Sequence, residues 1–280
     1  MLAITLALGA SLGWGAADFV GGLKSRSVPV LSVLLISQSA ALVLLVVMAV
    51  VRGASPPDAS ALGLAAVAGL GELVGIAALY RGLAVGKMSI VAPVAATAPV
   101  VPLLAGRASS QIPGPLQFTG LALAMIGLVF TSYQSGGDKD PGSRTAPSVI
   151  YGLLAALGFG TFFLTMHNAG EGDVGWALLT ARLTAVTALA SVIILKRHRV
   201  SAPRASLPAI AGIGALIIAA DSLYTTASTL GMVSVAAVLG SLHTIVTIAL
   251  ARIVLNERLE RAQQIGIAVS LIGVLAISAG

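Results

Sequence analysis

Ten apolar stretches follow one another through this chain of 280 residues, at 2–22, 28–51, 60–80, 88–105, 116–134, 148–166, 173–195, 207–230, 232–255 and 262–279. Most run for about 18 to 24 residues, the length a helix needs to cross a hydrocarbon core roughly 30 Å thick. A lipid-embedded backbone has no water to bond to, so each stretch must satisfy its own amides as a helix. The pattern predicts an all-α membrane protein with ten transmembrane helices. Composition agrees: 57% of residues are hydrophobic and 9% charged, against roughly 25% charged in soluble domains, and the mean hydropathy is +1.01. The first stretch lacks the basic opening of a secretory signal and is expected to stay in the protein as a helix.

Charge and cysteine content exclude several classes. The net charge is +6, but the basic residues lie singly or in short groups between apolar runs, whereas a nucleic-acid binder gathers them on one solvated face. No nucleic-acid partner is expected. With no cysteine in the sequence, thiol catalysis, disulfides and thiolate metal sites are ruled out.

The longest polar segment, SGGDKDPGSRTAP at 135–147, divides the stretches five and five. It is read as a linker between a first repeat, 1–134, and a second, 148–280. The halves match in register: Gly13-Trp14-Gly15 with Gly158-Phe159-Gly160, Ser89 with Ser234 and Arg107 with Arg252, all 145 apart. After one extra residue, Gln117, Gly120 and Gly127 match Gln263, Gly266 and Gly273. Five crossings per half put the second copy into the membrane from the opposite side, the inverted arrangement from which secondary transporters derive two mirror-related states. Of the 16 lysines and arginines, Arg52 and Arg107 lie in even-numbered connections and Arg182 inside a stretch, and the rest fall in odd-numbered ones, with Arg252 near the end of the ninth stretch counted with the connection that follows it. The positive-inside rule therefore makes the odd connections cytoplasmic and places both termini outside.

The second half carries the fullest motif. Gly231-x-x-Ser234 precedes an apolar run ending Leu255-Asn256-Glu257-Arg258-Leu259, followed by Gln264-x-Gly266 and Ile272-Gly273-Val274. This resembles the EamA domain of the drug/metabolite transporter superfamily, and Leu12-Gly13-Trp14-Gly15 with Asp18-Phe19 is similar to the family's opening helix. The first half departs from the pattern: Arg107 to Pro113 contains no acid where the second half has Glu257. The resemblance implies two inverted five-helix EamA-like repeats, alternating access around a central cavity, no nucleotide hydrolysis and an unspecified small-molecule substrate.

Charges inside spanning stretches cost roughly 2.5 to 3.5 kcal/mol each at mid-helix, so each needs a role. Glu72, Arg182 and Asp221 lie within stretches three, seven and eight, and Asp18 nearer the end of the first. They read either as a substrate or proton site facing water or as structural pairs of Arg182 with Asp221 or Glu72. Three acids against one base lean toward cationic or zwitterionic substrates, and one acid is a candidate carrier of a coupling proton. His243, among Ser234, Ser241, Thr244 and Thr247, reads as a proton relay or as an interhelical hydrogen bond. No second histidine follows at the next turn, so no metal site is expected.

Trp14 is placed at the binding site with these charges. Gln38, Tyr80, Tyr224 and Ser241 are expected along the cavity wall, the two tyrosines having interfacial anchoring as the alternative. Pro93, Pro99 and Pro102 interrupt the fourth stretch and suggest a gate hinge. No nucleophile and base constellation marks an enzyme, and no cofactor is expected. The reading reached is a multi-pass protein of the cell membrane that exports a small metabolite or drug-like solute in exchange for protons. The alternatives are an uncoupled exchanger of an anionic or lipid-linked metabolite and a non-transporting scaffold or sensor. Its partners are a small-molecule substrate, the bilayer and protons.

Overall fold

A computed structural model of the chain describes residues 1–25, 27–85, 91, 94–106, 114–132, 145–255 and 261–279. Among them there is no strand. The helices are α1 (Leu2–Ser25), α2 (Val30–Arg52), α3 (Ala59–Val85), α4 (Val100–Gly106), α5 (Pro115–Ser132), α6 (Thr145–Gly172) and α7 (Val174–Leu195). A 3-10 turn, Arg204–Ser206, leads into α8 (Leu207–Leu230), followed by α9 (Val233–Ser241), α10 (His243–Leu255) and α11 (Arg261–Ala279).

Among the described residues six segments are long and apolar enough to cross a membrane: Leu2–Ser25, Val30–Arg52, Ala59–Leu79, Pro147–Gly172, Val174–Leu195 and Arg204–Leu230. Pro115–Phe130, Val233–Thr247 and Gln264–Ile277 are apolar but shorter. Two of the ten expected stretches are not single continuous helices. The ninth stretch breaks at Leu242 into α9 and α10, and in the fourth the chain turns at 96–99 before α4 begins.

The two breaks coincide under the repeat. Thr97 N–H donates to Val94 O at 3.1 Å, and Leu242 N–H, 145 residues on, donates to Leu239 O at 3.2 Å. These tight i to i+3 bonds replace the regular helical ladder. The second half has no proline there, so proline alone does not place the interruption. Pro99 lies in the first turn itself, and Pro102 lies in the first turn of α4, where a missing amide is tolerated. Pro93 lies outside the described residues.

Packing repeats in the same way. The contact of α3 with α6 has its counterpart in α1 with α8, and that of α3 with α7 in α2 with α8. The pairs α2–α7 and α5–α11 join equivalent helices. At single residues, a Cβ on Gly13 would meet Ala220 and Leu216 O, whereas one on Gly158 would meet Gly75 and Gly71 O. Each partner is displaced by 145, so the glycine match in the sequence marks one helix crossing used twice, where small residues let backbones approach.

Polarity is distributed inside out. Val43, Val50, Leu195, Ile253 and Leu275 lie on the outside, whereas Gln38, Glu72, Arg182 and Asp221 are buried. With lipid as solvent, the apolar surface costs nothing, and the buried polar groups need protein partners.

Candidate functional site

The buried polar groups converge on Arg182. It lies near the middle of α7, against α3 at Gly69, where a Cβ would collide with the Ala181 carbonyl. Its Nη1 donates to Gln38 Oε1 on α2 and, at 3.2 Å, to Glu72 Oε1 on α3. Its Nη2 donates to Asp221 Oδ2 on α8. Asp221 Oδ1 accepts the indole Nε1–H of Trp14 on α1 at 2.8 Å. Five helices, three from the first half and two from the second, thus end on one connected network.

The network is sealed in this conformation, with Arg182 2% and Asp221 1% exposed. Its formal charge is −1 with both acids ionised. Both structural pairs expected for Arg182 exist at once. Among the described residues two polar atoms of this network have no hydrogen-bond partner, Glu72 Oε2 and Arg182 Nε. They leave one acceptor and one donor uncommitted at the core of the cluster.

An aromatic wall adjoins the charges. The Trp14 ring centroid lies 5.4 Å from Tyr224, 6.0 Å from Phe163 and 6.2 Å from Phe162. Tyr224 is fully buried, and its hydroxyl donates to Phe163 O at 2.8 Å. That burial corrects the interfacial-anchor alternative for Tyr224. The side chain of Tyr80 lies outside the described residues. Phe162 and Phe163 escaped the sequence reading, although the alignment of Asp18 with Phe163 at 145 residues' separation pointed to that helix face.

Asp18 and His243 form a second, more open group. His243 Nδ1 lies 2.8 Å from Asp18 Oδ2, with side chains 31% and 45% exposed, but the ring N–H is not aligned for a hydrogen bond. The His243 ring stands edge-on to Trp14 at 6.2 Å, so Trp14 touches both groups. His243 opens α10 at the break instead of lying within one long helix. The interhelical hydrogen bond on this helix is made not by His243, of which it was expected, but by Thr247, whose Oγ1 donates to Gly15 O at 3.1 Å. Ser241 is buried at the end of α9. Among the described residues no group of His, Asp and Glu could hold a metal ion.

Comparison with known proteins places this geometry. The model of the EamA-like transporter family matches residues 1–133 and again 146–279, leaving only the polar middle segment and the last residue outside. No curated protein matches the sequence. A crystal structure described only as that of a protein shares 16% identity, covers 99% of this chain and 96% of its own, and superimposes with a TM-score of 0.81. At that identity the likeness establishes the fold alone.

Proposed function

This chain belongs to the EamA-like transporter family, and on that premise we propose that it is a secondary transporter which exports a small solute by alternating access, coupled to protons. It is an integral, multi-pass membrane protein, and the cell membrane is its proposed site. The single observation that carries the reading is the Arg182 network, a costly set of buried charges drawn from helices of both halves. Ionisable groups at membrane depth mark substrate and proton pathways.

Inverted repeats are the second part of the proposal. Support comes from direction: α5 and α11 pack with Gly120 beside Gly273 and Gly127 beside Gly266, so these equivalent helices run antiparallel. Around an axis in the membrane plane, such a pair exchanges inward-open for outward-open forms.

Glu72 is the proposed carrier of the coupling proton. Asp221 is held by two donors, whereas Glu72 has one contact and a free Oε2. A proton on Glu72 brings the network to neutrality, and a substrate ammonium at the same oxygen does likewise, which makes the two competitors for one place. With Arg182 Nε uncommitted, the cluster suits a cationic or zwitterionic solute. An anionic substrate is disfavoured because Arg182 already faces two acids.

The test begins with a thermal-shift screen of purified protein against metabolite pools, followed by flux of the hits into proteoliposomes. Accumulation driven by an imposed pH gradient is expected. Glu72→Gln should abolish that accumulation and, since the same oxygen is where a substrate ammonium would bind, weaken solute exchange at equal concentrations as well. Flux indifferent to the gradient rejects the coupling.

A further inference from the structure

The equivalent helices α2 and α7 are tied at one end by a contact that the Arg182 network does not use. Arg52, the last residue of α2, grips Asp173 with two bonds, Nη1 to Oδ1 at 3.1 Å and Nη2 to Oδ2 at 2.7 Å. Asp173 caps α7, its Oδ1 accepting Trp176 N–H at 2.8 Å. Gly53 ends α2 with φ at 58°, a left-handed turn that favours glycine. The chain beyond it brings the Ala54 carbonyl to Trp176 Nε1–H at 3.1 Å. Two polar contacts, one ionic and one neutral, thus join the halves at the same end. Beneath them Leu45, Met48, Ala49 and Leu178 line a small cavity.

The other end of the pair is built differently. α2 and α7 begin 144 residues apart, at Val30 and Val174. By that offset Arg52 corresponds to Lys196 and Asp173 to Pro29, which has no carboxylate. There the halves meet through Ser201 N–H on Ser32 Oγ at 3.1 Å and through apolar packing of Val28 and Val33 with Ala202. The repeat therefore keeps a base at both ends but an acid at one. If symmetry alone shaped these ends, they would match.

We propose that Arg52 and Asp173 form a latch that closes the face carrying the α2–α3 and α6–α7 connections and must break each time that face opens. Its partners are bidentate and belong to opposite halves, so rocking of one half against the other separates them. The pair is partly exposed, Arg52 at 44% and Asp173 at 22%, which keeps it weak enough to break in every cycle. The indole bond of Trp176 to Ala54 sets the register in which the two charges meet. This reading goes beyond the proposed coupling and does not depend on what is carried.

The natural absence of cysteine permits a direct test in the full chain. A single reporter, Leu178→Cys, sits in the cavity below the latch and is 4% exposed in the closed form. Its labelling by a membrane-impermeant maleimide added to the latch face measures opening without any substrate. Asp173→Asn keeps the helix cap, since asparagine caps as well as aspartate, but removes the charge. Arg52→Gln removes the other partner.

Each variant should raise the labelling rate about fivefold, the ratio expected for an exposed pair at the upper end of its usual strength. The double variant should label no faster than either single one. Raised salt should speed labelling in the parent and leave the variants unaffected. Unchanged rates in both variants, or additive increases in the double, would overturn the latch. A melting temperature in detergent that stays at the parent value shows that the rate change is not loss of fold. Flux that ignores a pH gradient would reject the coupling proposed above yet leave this result standing.

Discussion

Arg182 shows at the scale of one residue how lipid reverses the usual logic of a charge. In the network each partner is tolerable only because the others are present, so removing one is worse than removing all. Arg182→Met leaves Glu72 and Asp221 facing each other in the bundle with no base between them. Breaking a buried pair typically costs about 3–5 kcal/mol, whereas replacing all its members by apolar or neutral groups is often neutral. Thermal unfolding in detergent should show a large loss for Arg182→Met and substantial recovery in the triple variant Arg182→Met/Glu72→Gln/Asp221→Asn. The triple variant is expected to fold and to carry no solute. A single variant as stable as the triple would mean that the network is already hydrated and holds little energy. Depth alone made these charges legible in the sequence, because an acid between apolar turns stands out in any span. It could not say that Arg182 bonds all of Gln38, Glu72 and Asp221, since those residues come from separate helices with no shared period.

The helices themselves were legible wherever length and hydropathy sufficed, as in α2 and α7, and illegible where the break is made by geometry. Leu242 is an apolar residue in an apolar run, and nothing local distinguishes it from its neighbours. Only the match of its turn to that at Thr97 explains the interruption. Close crossings behave similarly, because glycine spacing alone does not separate contact from open lipid. Gly69 and Gly214 are equivalent and pressed against backbone, with Ala181 O and Ser37 O in the way of a side chain. Gly63 and Gly212, on the same two helices, have nothing within 4 Å. Gly69→Ala and Gly214→Ala are each expected to destabilise by about 1–3 kcal/mol through forced separation of the helices. Gly63→Ala and Gly212→Ala should be neutral or slightly stabilising, since alanine favours a helix. Equal melting shifts in the two sets would contradict the crossings. The cap of α7 permits a pH prediction as well. Its bond to Arg52 and the nearby positive charge hold the Asp173 carboxyl below its ordinary 3.8. A depressed acid contributes above its unpaired value and loses that contribution as pH falls through the lowered one. Labelling of Leu178→Cys should therefore show no latch-dependent change between about pH 8 and 5, well above the carboxyl range. A rise over that interval which Asp173→Asn abolishes would show that the carboxyl titrates higher than its pairing allows.

For the whole molecule the open matter is direction, and two independent arguments bear on it. The charge count argues for odd connections in the cytoplasm, and the antiparallel packing of α5 with α11 supports inversion of the second half. These arguments can fail separately, because the first concerns which side is which and the second concerns whether an odd number of crossings separates the middle segment from the end. A reporter inserted within 135–147 and another fused after Gly280 distinguish them. Inversion requires the two points to lie on opposite faces, whatever the absolute orientation. The charge rule adds that the middle segment, with Lys139 and Arg144, is the cytoplasmic one. The expected result is a middle reporter active only inside the cell and a terminal reporter active only outside it. Exchange of the two outcomes would overturn the charge argument and leave the transporter architecture intact. Both reporters on one face would remove the inverted repeat, and with it the route by which one cluster of charges at Arg182 meets each side of the membrane in turn.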